Sequence, residues 1–133
     1  MFRVKSLEDL DKLSKEVKWQ YFEKLVGWIF EQNGFDVQVN KVAVYGKTKR
    51  QYDVIAERFG KMFIVDCKKW GGNRYKSAAL RKAVEKHLER CGLIETGKEK
   101  IPIIVTLLTE DITEDSGVPI VPICKLNSFI NQY

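Results

Sequence analysis

The sequence predicts an α/β domain with a mixed central β-sheet of about five strands and helices on both faces of the sheet. Two strand patterns separated by a glycine turn occupy residues 50–70 and predict a hairpin. Later in the chain a helical pattern precedes an apolar strand, and such a crossover places strands parallel. Both faces of the hairpin carry apolar residues, so helices should cover both faces.

Composition and length favour one soluble domain. Of the 133 residues, 44% are hydrophobic and 31% are charged, so residues 1–133 should form a single unit with its own core. No apolar run approaches the roughly 20 residues that span a bilayer, and the N-terminus lacks an apolar signal core. We therefore expect a cytoplasmic protein without membrane attachment. Three widely spaced cysteines and one histidine argue against a zinc site.

The first long helix is predicted to run from Ser14, its N-cap, to Asn33, with Gly34 at the C-cap position. Its apolar side chains recur at helical spacing and should face the core: Phe22, Leu25, Val26 and Ile29. Glu23 lies at the border of this face, where an acid usually points to solvent. Gly27 follows one turn later, and it either opens space beside Glu23 or lets another backbone approach.

The pairing of the two hairpin strands decides where their acidic residues lie. A two-residue loop at 59–60 places Asp53 directly opposite Asp66. Lys68 then follows on the same face, because side chains two residues apart on a strand share a face. A three-residue loop would put the two carboxylates on opposite faces, and a four-residue loop would leave them diagonal on one face.

Two facing carboxylates on otherwise apolar strands contribute nothing favourable to the fold. Like charges directly opposite each other are destabilising, whereas a divalent cation between them removes the repulsion because hard cations take oxygen ligands. Asp53 and Asp66 therefore suggest a metal site, with Lys68 within reach of it. The alternative is that both acids are strand-end charges exposed to water.

Basic residues concentrate around this hairpin. Residues 41–82 contain twelve Lys or Arg and three acids, a local net charge of +9, whereas the rest of the chain carries −4. A basic stripe around carboxylates suits a polyanion brought to a metal site, and the alternative is a charged surface without a partner. Five side chains are candidate contacts to a nucleic-acid backbone: Lys47, Lys49, Arg50, Lys69 and Arg74.

The remaining elements complete the sheet and its helices. A bulge is expected near Asn40 in the first strand, which spans 35–45. His87, the single histidine, has no evident nucleophile partner and is interpreted as structural. The later segments are predicted as follows: a helix at 76–90, a buried strand at 101–108, an acidic solvated loop at 110–117, a short strand at 118–123 and a closing helix at 125–133.

The order and spacing of these features resemble the PD-(D/E)xK nucleases, also called restriction-endonuclease-like, and most of all the Mrr-type restriction endonucleases. The resemblance covers residues 14–130. It rests on Glu23 in WQYFEKLVGWIFEQNGFDVQV, Asp53 in QYDVIAE, and the Asp66-Cys67-Lys68 run in FIVDCKKW. The chain departs from the pattern before Asp53, where Tyr52 replaces the nominal proline, and at Asp66, where Mrr-like members often have Gln.

The resemblance implies a restriction-endonuclease-like core and metal-dependent hydrolysis of phosphodiester bonds in DNA. It implies that Asp53, Asp66 and the Cys67 backbone carbonyl hold Mg²⁺ or Mn²⁺, with Glu23 directed toward the metal or its water. Lys68 would position the attacking water or stabilise charge on the phosphate.

Other functions and an assembly state stay open at this point. The first alternative is a catalytically inactive nuclease-fold module that binds nucleic acid or serves as a subunit of a larger nuclease. The other two are an RNA-directed nuclease and a structural protein of the same fold. Because cutting both strands of a duplex usually needs two active sites, a homodimer is a further expectation.

Overall fold

A computed structural model describes residues 19–68, 77–107 and 112–133, and for residues 19, 20 and 77 only the backbone. The elements follow in chain order: helix α1 (Trp19–Gln32), strands β1 (Asp36–Tyr45), β2 (Thr48–Arg58) and β3 (Lys61–Lys68), helix α2 (Ser77–Leu93), strands β4 (Glu99–Thr106), β5 (Thr113–Asp115) and β6 (Val118–Pro122), and helix α3 (Ile123–Ile130). The predicted start of the first helix lies outside the described residues. Its predicted end is confirmed, since α1 stops before Gly34, whose φ is 81°.

The strands form one mixed sheet in the order β1-β2-β3-β4-β6-β5. The pairs β1–β2, β2–β3 and β5–β6 are antiparallel, whereas β3–β4 and β4–β6 are parallel. The mixed sheet was predicted, but it has six strands rather than about five. The sixth is β5, within the segment expected to be a solvated loop. Ser116 and Gly117, with φ of 52° and 80°, make the turn that pairs it with β6.

Helices cover both faces of the sheet, as predicted. On one face, α1 and α3 enclose the larger core, whose buried aromatic side chains include Phe22, Phe30 and Phe63. On the other face, α2 covers two smaller apolar clusters through Val84 and Cys91. Within the described residues no helix combines the length and apolarity that crossing a bilayer requires.

The β2–β3 hairpin has the register expected from a two-residue loop. Arg58 pairs with Lys61, and Phe59 and Gly60 form the loop with φ of 51° and 76°. Two positive φ values are the type I′ arrangement, whose twist matches that of the strands. A phenylalanine there adopts left-handed backbone at a steric cost. The Arg58 guanidinium lies 5.2 Å from the Phe59 ring and 4.2 Å from the Phe35 ring, contacts that favour this turn.

The β1–β2 ribbon changes the face that it buries at Asn40. Before Asn40, Val37 and Val39 contact the core beneath α1. After it, Ala43 and Tyr45 contact the cluster beneath α2 on the opposite face. In a regular strand these four side chains would share one face, because side chains alternate with a period of two. The strand therefore reverses its orientation at this residue.

The reversal occurs without an inserted residue. Val39 pairs with Val54 and Lys41 pairs with Tyr52, so the register is continuous and Asn40 lies opposite Asp53. The bulge expected near Asn40 is therefore wrong. A left-handed residue takes its place, since Asn40 has φ of 55° and asparagine adopts this conformation at lower cost than most residues.

Candidate active site

Strands β2 and β3 separate at Asp53. The last residue pair of their ladder is Val54 with Val65. One step further, the Cys67 backbone N–H donates a hydrogen bond of 2.8 Å to Oδ2 of Asp53. In a continuing ladder a backbone carbonyl would accept such a bond. The Asp53 carboxylate therefore lies between β2 and β3, at the point where the two strands stop pairing.

The two predicted aspartates meet at this opening. Burial raises the pKa of Asp53 to about 6; the Cys67 N–H opposes this rise, and the adjacent Asp66 carboxylate adds to it. Asp66 is 8% exposed. The predicted closeness of the two carboxylates is thus present, although Asp53 and Asp66 do not form a ladder pair. The interpretation of both as water-exposed strand ends does not fit this burial.

Glu23 faces the same two carboxylates from α1. Its side chain is 7% exposed, and its Oε2 atom is buried with no hydrogen-bond partner among the described residues. Burial raises the pKa of Glu23 to about 7, with Asp53 adding to the rise, a hydrogen bond from the Asn40 side chain opposing it and Asp66 adding less. Glu23 is therefore a buried acid directed at the site rather than a rim residue.

Gly27 lets α1 lie close enough to β1 for Glu23 to reach the site. A Cβ atom at Gly27 would stand 2.8 Å from Cγ2 of Val39 and 3.2 Å from Cγ1 of Val37. Cβ contacts under about 3 Å are not tolerated without movement, and valine side chains are stiff. Of the two roles predicted for Gly27, the structure supports close approach of a neighbouring element.

Lys68 and Cys67 complete the second strand of the site. Nζ of Lys68 lies 3.4 Å from Oδ2 of Asp66, on the face predicted for both, and the lysine side chain is 33% exposed. The N–H and C=O of one strand residue point toward the same neighbouring strand. Since the N–H of Cys67 points to Asp53, its carbonyl also faces the gap beside β2. The Lys68 carbonyl points the other way and accepts a bond from the Leu107 N–H.

Asn40 and Gln51 were not singled out as site residues. Nε2 of Gln51 donates a hydrogen bond of 3.2 Å to Oδ1 of Asn40. This contact orients the Asn40 amide, because its carbonyl oxygen is occupied and its NH₂ group is left to donate to Glu23. The signal in the sequence was an asparagine in the middle of a strand, a residue type that tolerates left-handed backbone.

The candidate nucleic-acid contacts have different environments. Lys47 and Lys49 are exposed at the end of the β1–β2 hairpin. Arg50 instead forms an ion pair of 3.0 Å with Glu89 on α2, so its contact with a nucleic acid stays a prediction. Lys69 and Arg74 lie outside the described residues.

His87 lies in a buried environment and contacts the backbone of β3. It is 4% exposed, and its Nε2 atom lies 2.8 Å from the Ile64 carbonyl oxygen. Burial lowers the pKa of His87, which favours a neutral ring that donates from Nε2 to this carbonyl. The interpretation of His87 as structural agrees with this contact.

The carboxylates could hold a divalent cation with help from the backbone. Across 19–68, 77–107 and 112–133, no three His, Cys, Asp or Glu side chains form a metal-binding group by themselves. Two carboxylates, Asp53 and Asp66, do meet, and the Cys67 carbonyl faces the same gap. Hard cations such as Mg²⁺ take carboxylate, carbonyl and water oxygens, commonly with only one or two carboxylates. The residues present therefore fit such an ion.

Comparison with known proteins finds a matching family and a relative of similar sequence. A family model for Mrr-type catalytic domains, described as a restriction endonuclease, matches residues 14–114. An uncharacterized protein of Archaeoglobus fulgidus is 35% identical over 118 residues, covering 87% of this chain and 92% of its own length.

Two solved structures share the fold. The protein of unknown function AF1548 superposes with a TM-score of 0.54 at 20% identity, over 68% of this chain and 48% of that one. Protein VC1899 from Vibrio cholerae superposes with a TM-score of 0.56 at 17% identity, over 86% and 32% respectively. The chain thus spans about half and about a third of their lengths. Because the family model matches most of the chain and the sheet agrees with it, the chain belongs to the Mrr-type restriction endonuclease catalytic-domain family.

Proposed function

We propose that this protein is a metal-dependent endonuclease that hydrolyses phosphodiester bonds in DNA. The observation that carries the proposal is the convergence of Asp53, Asp66 and Lys68 where β2 and β3 separate, with Glu23 buried beside them. Membership of a restriction endonuclease family supports this class of reaction.

Asp53, Asp66 and the Cys67 carbonyl would hold the Mg²⁺ or Mn²⁺ ion. Such an ion lowers the pKa of bound water and offsets negative charge on the phosphate. The raised pKa of Asp53 supports this assignment, because a carboxyl group that resists ionisation on its own gains most from a cation. With the cation bound, Asp53 is held ionised at neutral pH.

Lys68 and Glu23 would act on the phosphate and the attacking water. The Lys68 ammonium, held beside Asp66, stabilises charge that develops on the phosphate oxygens. The Oε2 atom of Glu23, which has no partner among the described residues, accepts a hydrogen bond from water in the site. Lys47 and Lys49 would contact the phosphate backbone, which supplies affinity but little sequence preference.

Cleavage assays test the proposal. Supercoiled plasmid, linear duplex, single-stranded and branched DNA, and an RNA of matched sequence, are incubated with Mg²⁺, Mn²⁺ or EDTA. The wild type is compared with Asp66→Ala and with Asp36→Ala, which removes an exposed acid of β1. We expect metal-dependent DNA cutting by the wild type and by Asp36→Ala, and none by Asp66→Ala.

Three outcomes would contradict the proposal or refine it. No cutting of any substrate, with equal binding by all variants, would favour the inactive binding module. Preferential cutting of the RNA would favour an RNA-directed nuclease. Linear plasmid product without a nicked intermediate would support a homodimer that carries two sites, and light scattering would measure its mass.

A further inference from the structure

One face of the outer β1–β2 ribbon is open. Val42 pairs with Gln51 and Val44 pairs with Lys49, so the four side chains share a face. Val42 is 52% exposed and Val44 is 64% exposed, and Lys49 and Gln51 are exposed as well. We call these four side chains the open ribbon face. Core packing does not explain two exposed valines that are neighbours on one face of a strand.

The opposite face of the same ribbon is anchored on α2. The Tyr52 hydroxyl donates a hydrogen bond of 2.7 Å to the Arg90 carbonyl, and Arg50 pairs with Glu89 at 3.0 Å. The Tyr45 and Tyr52 hydroxyl oxygens lie 3.1 Å apart. The ribbon is therefore held against α2 by its other face, and the open ribbon face points away from α2.

The positive charge of this ribbon favours a polyanion as the binding partner rather than a second copy of the chain. Residues 41–51 contain no acid, and they contribute the positive charges of Lys41, Lys47 and Lys49, besides Arg50, whose charge is offset by Glu89. Two such ribbons side by side would bring like charges together, which is unfavourable. A nucleic acid carries the complementary charge along its whole length.

The open ribbon face leads directly to the candidate active site. Gln51 belongs to this face and donates to Asn40, and Asn40 in turn contacts Glu23. Asp53 lies two residues beyond Gln51 on β2, opposite Asn40, where the ribbon reverses the face that it buries. A duplex seated on the open ribbon face would thus bring a phosphodiester beside the carboxylates.

We propose that the open ribbon face enters the major groove of duplex DNA. A two-stranded antiparallel ribbon fits this groove, which is about 12 Å wide. At about 3.4 Å per residue, residues 41–45 extend roughly 17 Å, enough to cross it. The valine methyl groups contact thymine methyl groups and Gln51 contacts base edges, while Lys47 and Lys49 contact the flanking phosphates. This inference takes from the proposed function that the ligand is DNA, and it does not depend on cleavage.

Binding measured without cleavage tests the inference. Fluorescence anisotropy follows a labelled mixed-sequence duplex and its single strand in EDTA, as sodium chloride is varied. Val44→Glu should raise Kd for the duplex by roughly tenfold or more, because it places a carboxylate in the groove. Ile112→Glu is the matched control, since Ile112 is 41% exposed and precedes β5 at the far edge of the sheet. It should leave Kd close to that of the wild type.

Two further variants separate the apolar contacts from the ionic ones. Val42→Thr with Val44→Thr keeps the β-branched shape and should raise Kd while the salt dependence stays unchanged. Lys47→Gln with Lys49→Gln should reduce the slope of log K against log salt by about 0.9 for each lysine. The threonine pair also keeps the test valid if Val44→Glu fails to fold, which thermal unfolding would reveal.

Several results would overturn the inference. These are an unchanged Kd in the valine variants, an equal loss in Ile112→Glu, or equal affinity for single strand and duplex. A wild-type dimer that Val44→Glu converts to a monomer would also overturn it in favour of self-association. If the wild type cuts DNA but Val44→Glu binds normally, only this inference fails. If binding depends on Val44 but no metal supports cutting, only the proposed function fails.

Discussion

The Cys67 backbone N–H donates a 2.8 Å hydrogen bond to Oδ2 of Asp53, and this bond marks the end of the β2–β3 ladder. A side chain thus takes the place of a backbone acceptor at the point where the strands separate. The separation gives Glu23 of α1 and Asp66 of β3 access to the same space. The hydrogen bond at the end of the β2–β3 ladder therefore also places the Asp53 carboxylate in the candidate active site.

The first prediction concerns the orientation of the Asn40 amide. Asn40→Gly keeps a residue that tolerates left-handed backbone but removes the amide, whereas Asn40→Asp places a carboxylate against Glu23. Because Glu23 has a pKa of about 7, we expect Asn40→Asp to be less stable than Asn40→Gly at pH 8, by about 1 kcal/mol or more. The difference should shrink at pH 5, where Glu23 is protonated. Urea unfolding at both pH values measures it, and an equal difference at both would contradict the contact.

The second prediction concerns the pH dependence of stability without metal. The pKa of Glu23 is raised from 4.5 to about 7, so the folded state holds its proton more tightly than the unfolded state. The stability that Glu23 contributes is then fully present below about pH 4.5 and is lost as the pH rises through about 7. Unfolding of wild type and Glu23→Gln in EDTA, from pH 4 upward, isolates this contribution.

The comparison with Glu23→Gln is needed because other groups titrate in the same range. Asp53, with its raised pKa, acts with the same sign as Glu23, whereas His87, with its lowered pKa, acts with the opposite sign. The wild-type free energy of unfolding, less that of the variant, should therefore fall with rising pH. A difference that rises with pH would mean that Glu23 is stabilised as the carboxylate.

The third prediction concerns the close approach of α1 and β1. Gly27→Ala should destabilise the protein by roughly 1–2 kcal/mol, because overpacking against Val39 outweighs the better helix propensity of alanine. Gly92→Ala in α2 is the control, since nothing lies within 4 Å of a Cβ there, and it should stabilise or be neutral. Chemical denaturation measures both. Adding Val39→Ala should relieve part of the Gly27→Ala cost, and no relief would place the strain elsewhere.

The fourth prediction concerns Lys68. Lys68→Met removes the ammonium beside Asp66 and should lower the rate of cleavage roughly 10²–10³-fold, the usual loss for a group that stabilises transition-state charge. DNA binding should change little, and Lys68→Arg should recover part of the rate. Single-turnover cleavage and anisotropy separate the two effects. Loss of binding together with cleavage would make Lys68 a phosphate contact instead.

The sequence predicted the hairpin and its aspartates well, because a two-residue loop fixes every later pair and Arg58 does pair with Lys61. It did not predict the reversal at Asn40, since a left-handed residue changes the buried face without changing the register. The strand β5 was missed because three residues carry too little periodicity, although Ser116-Gly117 is a turn signal. The ion pair of Arg50 depends on a residue distant in sequence and had no local signal.

The central claim is that Asp53 and Asp66 form a cation site where β2 and β3 separate. Calorimetric titration with Mn²⁺ tests it most directly, with wild type, Asp53→Asn, Asp66→Asn and the exposed control Asp36→Asn. We expect the wild type and Asp36→Asn to bind the ion and to gain thermal stability from it, whereas Asp53→Asn and Asp66→Asn lose both. Equal binding by all four proteins, or by none, would contradict the claim.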